Sequence, residues 1–230
     1  MRLYLLRHGD PDYARDSLTP RGHREAAALA DYLVSEGVSQ LFSSPRGRAQ
    51  ATAAYTAQRL GLPVAIEQWT TELSLTIPEM KMCAWNLHGH LVRRRPYLDR
   101  PQDWTAIPEL TGLPLAETMA AIALGADAFL ARLGYVREGD IYRVVRPHRE
   151  RIALFCHGGL GLSLLAHLLA LPPPLVYAGF FLPTSSVTTI VWDERTPGTA
   201  TPRCLGVGAL PHLYRAGLPP SASGIVANVD

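Results

Sequence analysis

The 230-residue sequence has few cysteines, little net charge and no long unbroken apolar run, and each shortage removes a class of function. Its three cysteines, Cys83, Cys156 and Cys204, are odd in number and widely spaced. A disulfide framework is therefore not expected, and a reducing compartment fits better. A formal net charge of +2 commits no surface to nucleic acid or anionic lipid. No basic stripe interleaved with aromatics is present either, so no nucleic-acid partner is expected. The run Leu3-Tyr4-Leu5-Leu6 is too short for a signal peptide. Leu160–Leu182 is apolar but split by Pro172-Pro173-Pro174, and neither half reaches the length of a bilayer span. A soluble cytoplasmic protein without a membrane partner is expected.

What is present is patterned as an α/β chain. Residues 3–6 form a short apolar run of the kind that becomes a buried strand. Thr19-Pro20 supplies a cap and a first-turn proline, and Ala26, Leu29, Ala30 and Leu33 come next at helical spacing up to Gly37. Gln40–Ser43 reads as a second strand, Arg46–Leu60 as an alanine-rich helix closed by Gly61, and Val64–Ile66 as a third strand. Further on, Thr118–Leu133 and Leu160–Leu171 read as helices, Ile152–Cys156 and Val187–Trp192 as strands. The Pro- and Gly-rich tail after Asp193 is expected to be irregular. Strands alternating with helices predict a three-layer α/β/α sandwich with a mostly parallel central sheet. With no repeat or linker, 1–230 reads as a single domain carrying an irregular, lid-like insertion at about 73–114.

Parallel sheets gather ligands at the carboxyl ends of their strands, so residues just past strands are the ones to inspect. Arg7-His8-Gly9 follows the first strand, His157-Gly158-Gly159 follows Ile152–Cys156, and Ser43-Ser44-Pro45 opens the helix that carries Arg48. Glycine beside each histidine is expected to let a ligand approach the backbone. The helix beginning near Arg46 is expected to offer free N–H groups to an anion. Two arginines and two histidines converging there describe a site for a phosphate group.

Leu6-Arg7-His8-Gly9, Ser43-Ser44-Pro45-x-x-Arg48-Ala49-x-x-Thr52-Ala53 and Cys156-His157-Gly158-Gly159, in that order, resemble the histidine phosphatase superfamily, which includes the cofactor-dependent phosphoglycerate mutases. The resemblance implies a phosphoglycerate-mutase-like fold and a metal-independent phosphomonoester hydrolase that needs no cofactor. It implies that His8 attacks phosphorus and carries a phosphohistidine intermediate, with Arg7, Arg48 and His157 holding the phosphoryl oxygens. It also implies a glutamic acid that protonates the leaving oxygen and then activates water. Glu72 stands where that acid is expected, with Glu79 as the alternative. The partner is then a small phosphate ester. A mutase, and a non-catalytic phospholigand-binding protein on the same fold, are the competing readings. The sequence departs from the family at Trp85-Asn86-Leu87-His88-Gly89 and at Asp10-Pro11-Asp12-Tyr13. Both departures bear on the substrate rather than on the reaction centre, and the segment Leu75–Gly112 is where specificity is expected to reside.

Other reactive side chains carry plainer expectations. His23, His148, His167 and His212 read as structural histidines, and Cys156 as a small buried strand residue. Cys83, His88 and His90 match no common zinc spacing, so no metal is expected. Arg93-Arg94-Arg95 reads as a solvated run, and Thr184-Ser185-Ser186 as either a loop or a phosphate contact.

Overall fold

The computed structural model describes residues 1–93 and 107–224. In chain order the strands and helices begin with β1 (Arg2–Arg7), the small hairpin β2 (Pro11–Asp12) and β3 (Ser17–Leu18), α1 (Pro20–Ser35), β4 (Gln40–Ser43), α2 (Gly47–Leu60) and β5 (Val64–Ile66). Thr19 caps α1 by accepting a hydrogen bond from the Gly22 N–H, and Gly61, left-handed at φ 66°, ends α2. A second small hairpin, β6 (Thr76–Ile77) and β7 (Met82–Cys83), precedes the short helix α3 (Gly89–Arg93). Then come α4 (Leu115–Arg132), β8 (Tyr135–Glu138), β9 (Ile141–Val144), β10 (Arg151–Cys156), α5 (Gly158–Leu168), α6 (Pro173–Gly179), β11 (Val187–Asp193), β12 (Thr199–Ala209) and α7 (Pro211–Arg215). Among the described residues, no helix is long and apolar enough to cross a membrane.

Eight strands form one sheet in the order β5-β4-β10-β1-β11-β12-β9-β8. The expected parallel character holds for one half, where β5, β4, β10 and β1 run parallel. The other half, β11, β12, β9 and β8, is antiparallel. Connection length explains the split. Only a few residues separate β8 from β9 and β11 from β12, and such links return the chain antiparallel, whereas parallel neighbours require a crossover such as α2. The tail after Asp193 is a correction: it forms β12, eleven residues long, and α7. Its Pro202, Gly206 and Gly208 read as breakers, yet the strand tolerates them through register shifts against β11.

Side chains alternate across the sheet. Tyr4 and Leu6 of β1 join Phe155 of β10, Leu29 and Leu33 of α1, and Ala53 of α2 in one buried cluster. Leu3 and Leu5 face the opposite way, with Ile152, Leu154 and buried residues of α4 and α5. Helices therefore cover both faces of the sheet, which is the expected three-layer α/β architecture. The described part of the 73–114 segment is built of short elements rather than coil. Its Leu75, Ile77, Ala84, Leu87, Val92 and Leu110 are buried in the α4–α5 cluster.

Candidate active site

Strand register assembles the site. Arg7 of β1 lies opposite Cys156 of β10, and Phe155 lies opposite Ser43 of β4. The next residue on each strand is His8, His157 and Ser44, so three polar groups emerge side by side at the carboxyl ends of three parallel strands. His8 and His157 are buried, with ring centroids 5.3 Å apart and the rings edge to face. Arg7 and Arg48 are also buried. Together with Glu72, both arginines line a cavity of about 260 Å³.

The two histidines are held through different nitrogens. His8 Nδ1 is 2.8 Å from the Gly9 carbonyl oxygen. That oxygen can only accept, so Nδ1 carries the proton and Nε2 keeps its lone pair. Burial pushes the His8 imidazole down to about 3, and the charges of Arg7 and Arg48 add to that. Its main chain is fixed on both sides, the amide donating to the Cys156 carbonyl and the carbonyl accepting from the Ser185 N–H. His157 Nε2 lies 2.7 Å from Ser44 Oγ, which itself accepts from the Arg46 N–H at 3.3 Å. Burial, followed by the neighbouring His8 and Arg48, lowers the His157 imidazole to about 2. Its Nδ1, like Arg7 Nε and Arg48 Nε, is buried without a hydrogen-bond partner. The two arginines line the cavity, and their free Nε donors suit an anion there, while His8 and His157 are not among its lining residues.

Each arginine is steered by groups the sequence pattern did not reveal. Arg7 Nη1 donates to the Leu182 carbonyl at 2.6 Å, and its guanidinium lies over the Phe181 ring. Arg48 Nη1 donates to Asp16 Oδ1 at 2.5 Å and lies over the Tyr13 ring. Asp16 also accepts from the Gly47 N–H at 2.8 Å. Burial alone would raise its carboxyl, but the Gly47 amide and Arg48 outweigh it and hold it below the usual value. The expectation that α2 offers free N–H groups to a ligand is corrected here, because Asp16 fills that position from within the chain.

Glu72 reaches the second helix start. Its carboxylate accepts from the Leu73 and Leu160 N–H groups through Oε1 and from Gly159 through Oε2, so it caps α5 while facing the cavity. Glu79 lies exposed in the turn between β6 and β7 and does not line the cavity.

The glycines beside the histidines differ: Gly158 lines the cavity, and a Cβ there would meet Arg7 only at 3.6 Å, whereas Gly9, and Gly159 one residue further on, are closed by protein. A Cβ at Gly9 would come 2.7 Å from the Gly22 carbonyl oxygen, and one at Gly159 2.6 Å from the Trp85 ring. The acidic pair after His8 turns away: Asp10 accepts from Thr19 and Ser221, and Asp12 from the Arg15 N–H. Within Thr184-Ser185-Ser186, Ser185 supports the end of β1, its N–H holding the His8 carbonyl and its Oγ lying 3.0 Å from His212 Nε2. His212 reads from the sequence as merely structural, and its link to the His8 backbone has no signal there. His23, His148 and His167 pair with Tyr55, the Leu133 carbonyl and Asp127 respectively, away from the cavity. Cys83 lines the cavity but gathers no ligand set: among the described residues no group of three His, Cys, Asp or Glu could hold a metal ion. Arg94 and Arg95 lie outside the described residues.

Comparison with known proteins places this geometry. The chain is 26% identical over 167 residues to "Putative phosphoserine phosphatase 2" of Hydrogenobacter thermophilus, a match spanning 69% of this chain and 73% of that one. A phosphoserine phosphatase of Entamoeba histolytica, solved as a mutant with phosphoserine, superposes with a TM-score of 0.61 at 20% identity, covering 92% of this chain and 98% of that one. The mycobacterial glucosyl-3-phosphoglycerate phosphatase gives 0.61 at 24% identity over 90% and 98%. At these identities the solved structures establish a shared fold. The family model of the histidine phosphatase superfamily, branch 1, matches residues 3–202, and the chain belongs to that superfamily.

Proposed function

We propose that the protein hydrolyses phosphate monoesters through a covalent phosphohistidine on His8. The observation that carries this reading is the set of buried, unpartnered nitrogens, Arg7 Nε, Arg48 Nε and His157 Nδ1, on residues that neighbour a neutral His8 whose Nε2 keeps its lone pair. His8 Nε2 attacks phosphorus while the ester P–O bond breaks, and Glu72 gives its proton to the departing alkoxide. Arg7, Arg48 and the His157 Nδ1–H hold the three equatorial oxygens, whose charge is spread in the transition state. Water then loses a proton to the Glu72 carboxylate and attacks the same phosphorus. The P–N bond breaks, inorganic phosphate leaves, and His8 and Glu72 return to their starting forms. The carboxylate of Glu72 accepts three N–H bonds, which leaves one lone pair for the travelling proton.

No step requires a metal. We read the chain as one catalytic unit with the 73–114 segment as its cover. The three free cysteines support a reducing, cytoplasmic setting. The phosphoserine and phosphoglycerate esters named for the relatives make small phosphate monoesters the substrates to try first. The test is phosphate release from a panel of such esters in excess chelator, comparing wild type with His8→Ala. Chelator-resistant release that vanishes in the folded variant is expected. An isomerised ester without phosphate release would replace hydrolase by mutase.

A further inference from the structure

We propose that the ester this site prefers carries an uncharged, apolar alcohol about one ring in size, and that an additional carboxylate on the substrate is selected against. The proposal rests on the phosphomonoesterase reading and concerns the part of the cavity that the phosphoryl group does not use.

Beyond Arg7, Arg48 and Glu72, the described lining is almost wholly apolar. Leu73, Trp85, Leu162, Phe181 and Leu182 all line it. Tyr13, 64% exposed, stands at the rim over Arg48. Both aromatic rings thus stand beside the arginines on the cavity lining. The Trp85 ring is seated on Gly159. Asn86 and the Cys83 thiol are the remaining side chains of polar character on the described lining.

Size points the same way. A cavity of about 260 Å³ lies below the ~300–1,000 Å³ of sites for drug-sized ligands. An apolar cavity of ~150 Å³ is enough for benzene, so a phosphate group and one ring-sized substituent fill the available space.

Charge then decides the chemistry of that substituent. Arg7 and Arg48 are the cations on the described walls, and Arg48 is already paired with Asp16 while Glu72 faces the same cavity. Arg48 is thus held by Asp16 and Arg7 by the Leu182 carbonyl before any ligand enters. A phosphate dianion takes up both arginines. A further carboxylate would sit against leucine and tryptophan, desolvated and with no further cation among the described lining residues to pair it. An aromatic or aliphatic alcohol loses nothing on entering and gains contact with Phe181 and Trp85.

The test uses two esters with the same kind of leaving oxygen, 2-phenylethyl phosphate and 2-(4-carboxyphenyl)ethyl phosphate, which differ by one ionised group at neutral pH. Wild type is expected to favour the neutral ester by about tenfold or more in kcat/KM, a factor that corresponds to ~1.4 kcal/mol. Phe181→Ala and Tyr13→Ala are expected to narrow the preference for 2-phenylethyl over ethyl phosphate. Equal or faster turnover of the carboxylated ester, or an unchanged preference for 2-phenylethyl phosphate in both folded variants, would overturn the substrate class and leave the hydrolase standing. No phosphate released from any of the three esters by folded wild type would overturn the hydrolase reading, and the substrate class with it.

Discussion

His8 and His157 close neighbouring parallel strands, are both buried, and are both followed by glycine, yet the chain grips them by opposite nitrogens. His8 is anchored through Nδ1 to its neighbour's carbonyl, with Arg7 and Arg48 beside it. His157 is anchored through Nε2 to a hydroxyl from a third strand end, Ser44. The first arrangement presents a lone pair; the second presents a donor when the Ser44 hydroxyl donates its hydrogen bond to Nε2, which leaves the ring proton on Nδ1. Two residues of one type at equivalent positions thereby acquire opposite chemical roles. The difference comes from hydrogen-bond partners, because burial lowers both rings.

Removing each histidine should break the symmetry most. His8→Ala is expected to end turnover, a loss on the order of 10⁴-fold or more in kcat, and to abolish covalent phosphate on the protein. His157→Ala is expected to slow kcat by ~10²–10³-fold, the effect of losing one preorganised donor, while the protein still takes up covalent phosphate. Rapid-quench labelling with a radioactive ester separates the two. Label on folded His8→Ala, or none on folded His157→Ala while the wild type labels, would reverse the assignment.

Glu72 sharpens the comparison on the His157 side, since its carboxylate caps the helix that His157 begins. Glu72→Gln keeps an acceptor for the α5 amides but cannot pass a proton. A fall of ~10²–10³-fold in kcat is expected, within the range of general acid–base catalysis, with the melting temperature little changed. A fall in melting temperature alone, with kcat kept, would reduce Glu72 to a capping residue.

Acid should act on both histidines through folding. Their folded imidazoles sit at about 3 and about 2, against ~6.5 in an unfolded chain. Below 6.5 the unfolded chain binds protons that the folded one refuses, so stability falls as pH falls through that window, by up to ~1.4 kcal/mol per pH unit for each ring. Thermal melts at pH 7 and pH 4.5 are expected to lie closer together in His8→Ala than in wild type. Equal separations would show that His8 takes up its proton without unfolding.

Much of this site is legible in the sequence because its parts sit on strong local signals. The short apolar runs that end at Arg7-His8 and at His157 mark two strands and place both histidines at strand ends, and Arg48 lies in the first turn of an alanine-rich helix. Their convergence comes from the strand-end rule of parallel sheets. Asp16 is not legible. It occupies an isolated left-handed turn position, φ 46°, and meets Arg48 only because β2 and β3 fold back over α2. The β8–β9 hairpin escapes the sequence reading although Gly139, at φ 63°, is a turn residue between its strands. The strand β12 escapes it because a β-strand paired on its backbone can carry Pro202, Arg203 and Gly206 when much of its surface is open. Ser44 stands in plain view within a recognised motif, but its partner is 113 residues away, and no local pattern encodes that pairing.

Ser44 also supplies the finest test of the two-histidine comparison. Ser44→Ala removes the hydroxyl and leaves His157 Nε2 without its partner, while Cβ and the strand remain. The His157 ring then has no group directing its proton to Nδ1, and part of its population presents a lone pair to the phosphate instead of a donor. A net hydrogen bond of ~1 kcal/mol corresponds to a fall of about fivefold in kcat, far smaller than the loss of the ring itself. The informative measurement is the double-mutant cycle. If Ser44 acts only by orienting His157, Ser44→Ala made in the His157→Ala background costs nothing further, whereas paired with Glu72→Gln its effect persists. A fivefold loss that persists without His157 would mean that the Ser44 hydroxyl meets the phosphate directly, and the source of His157's donor role would have to be sought elsewhere in the pocket.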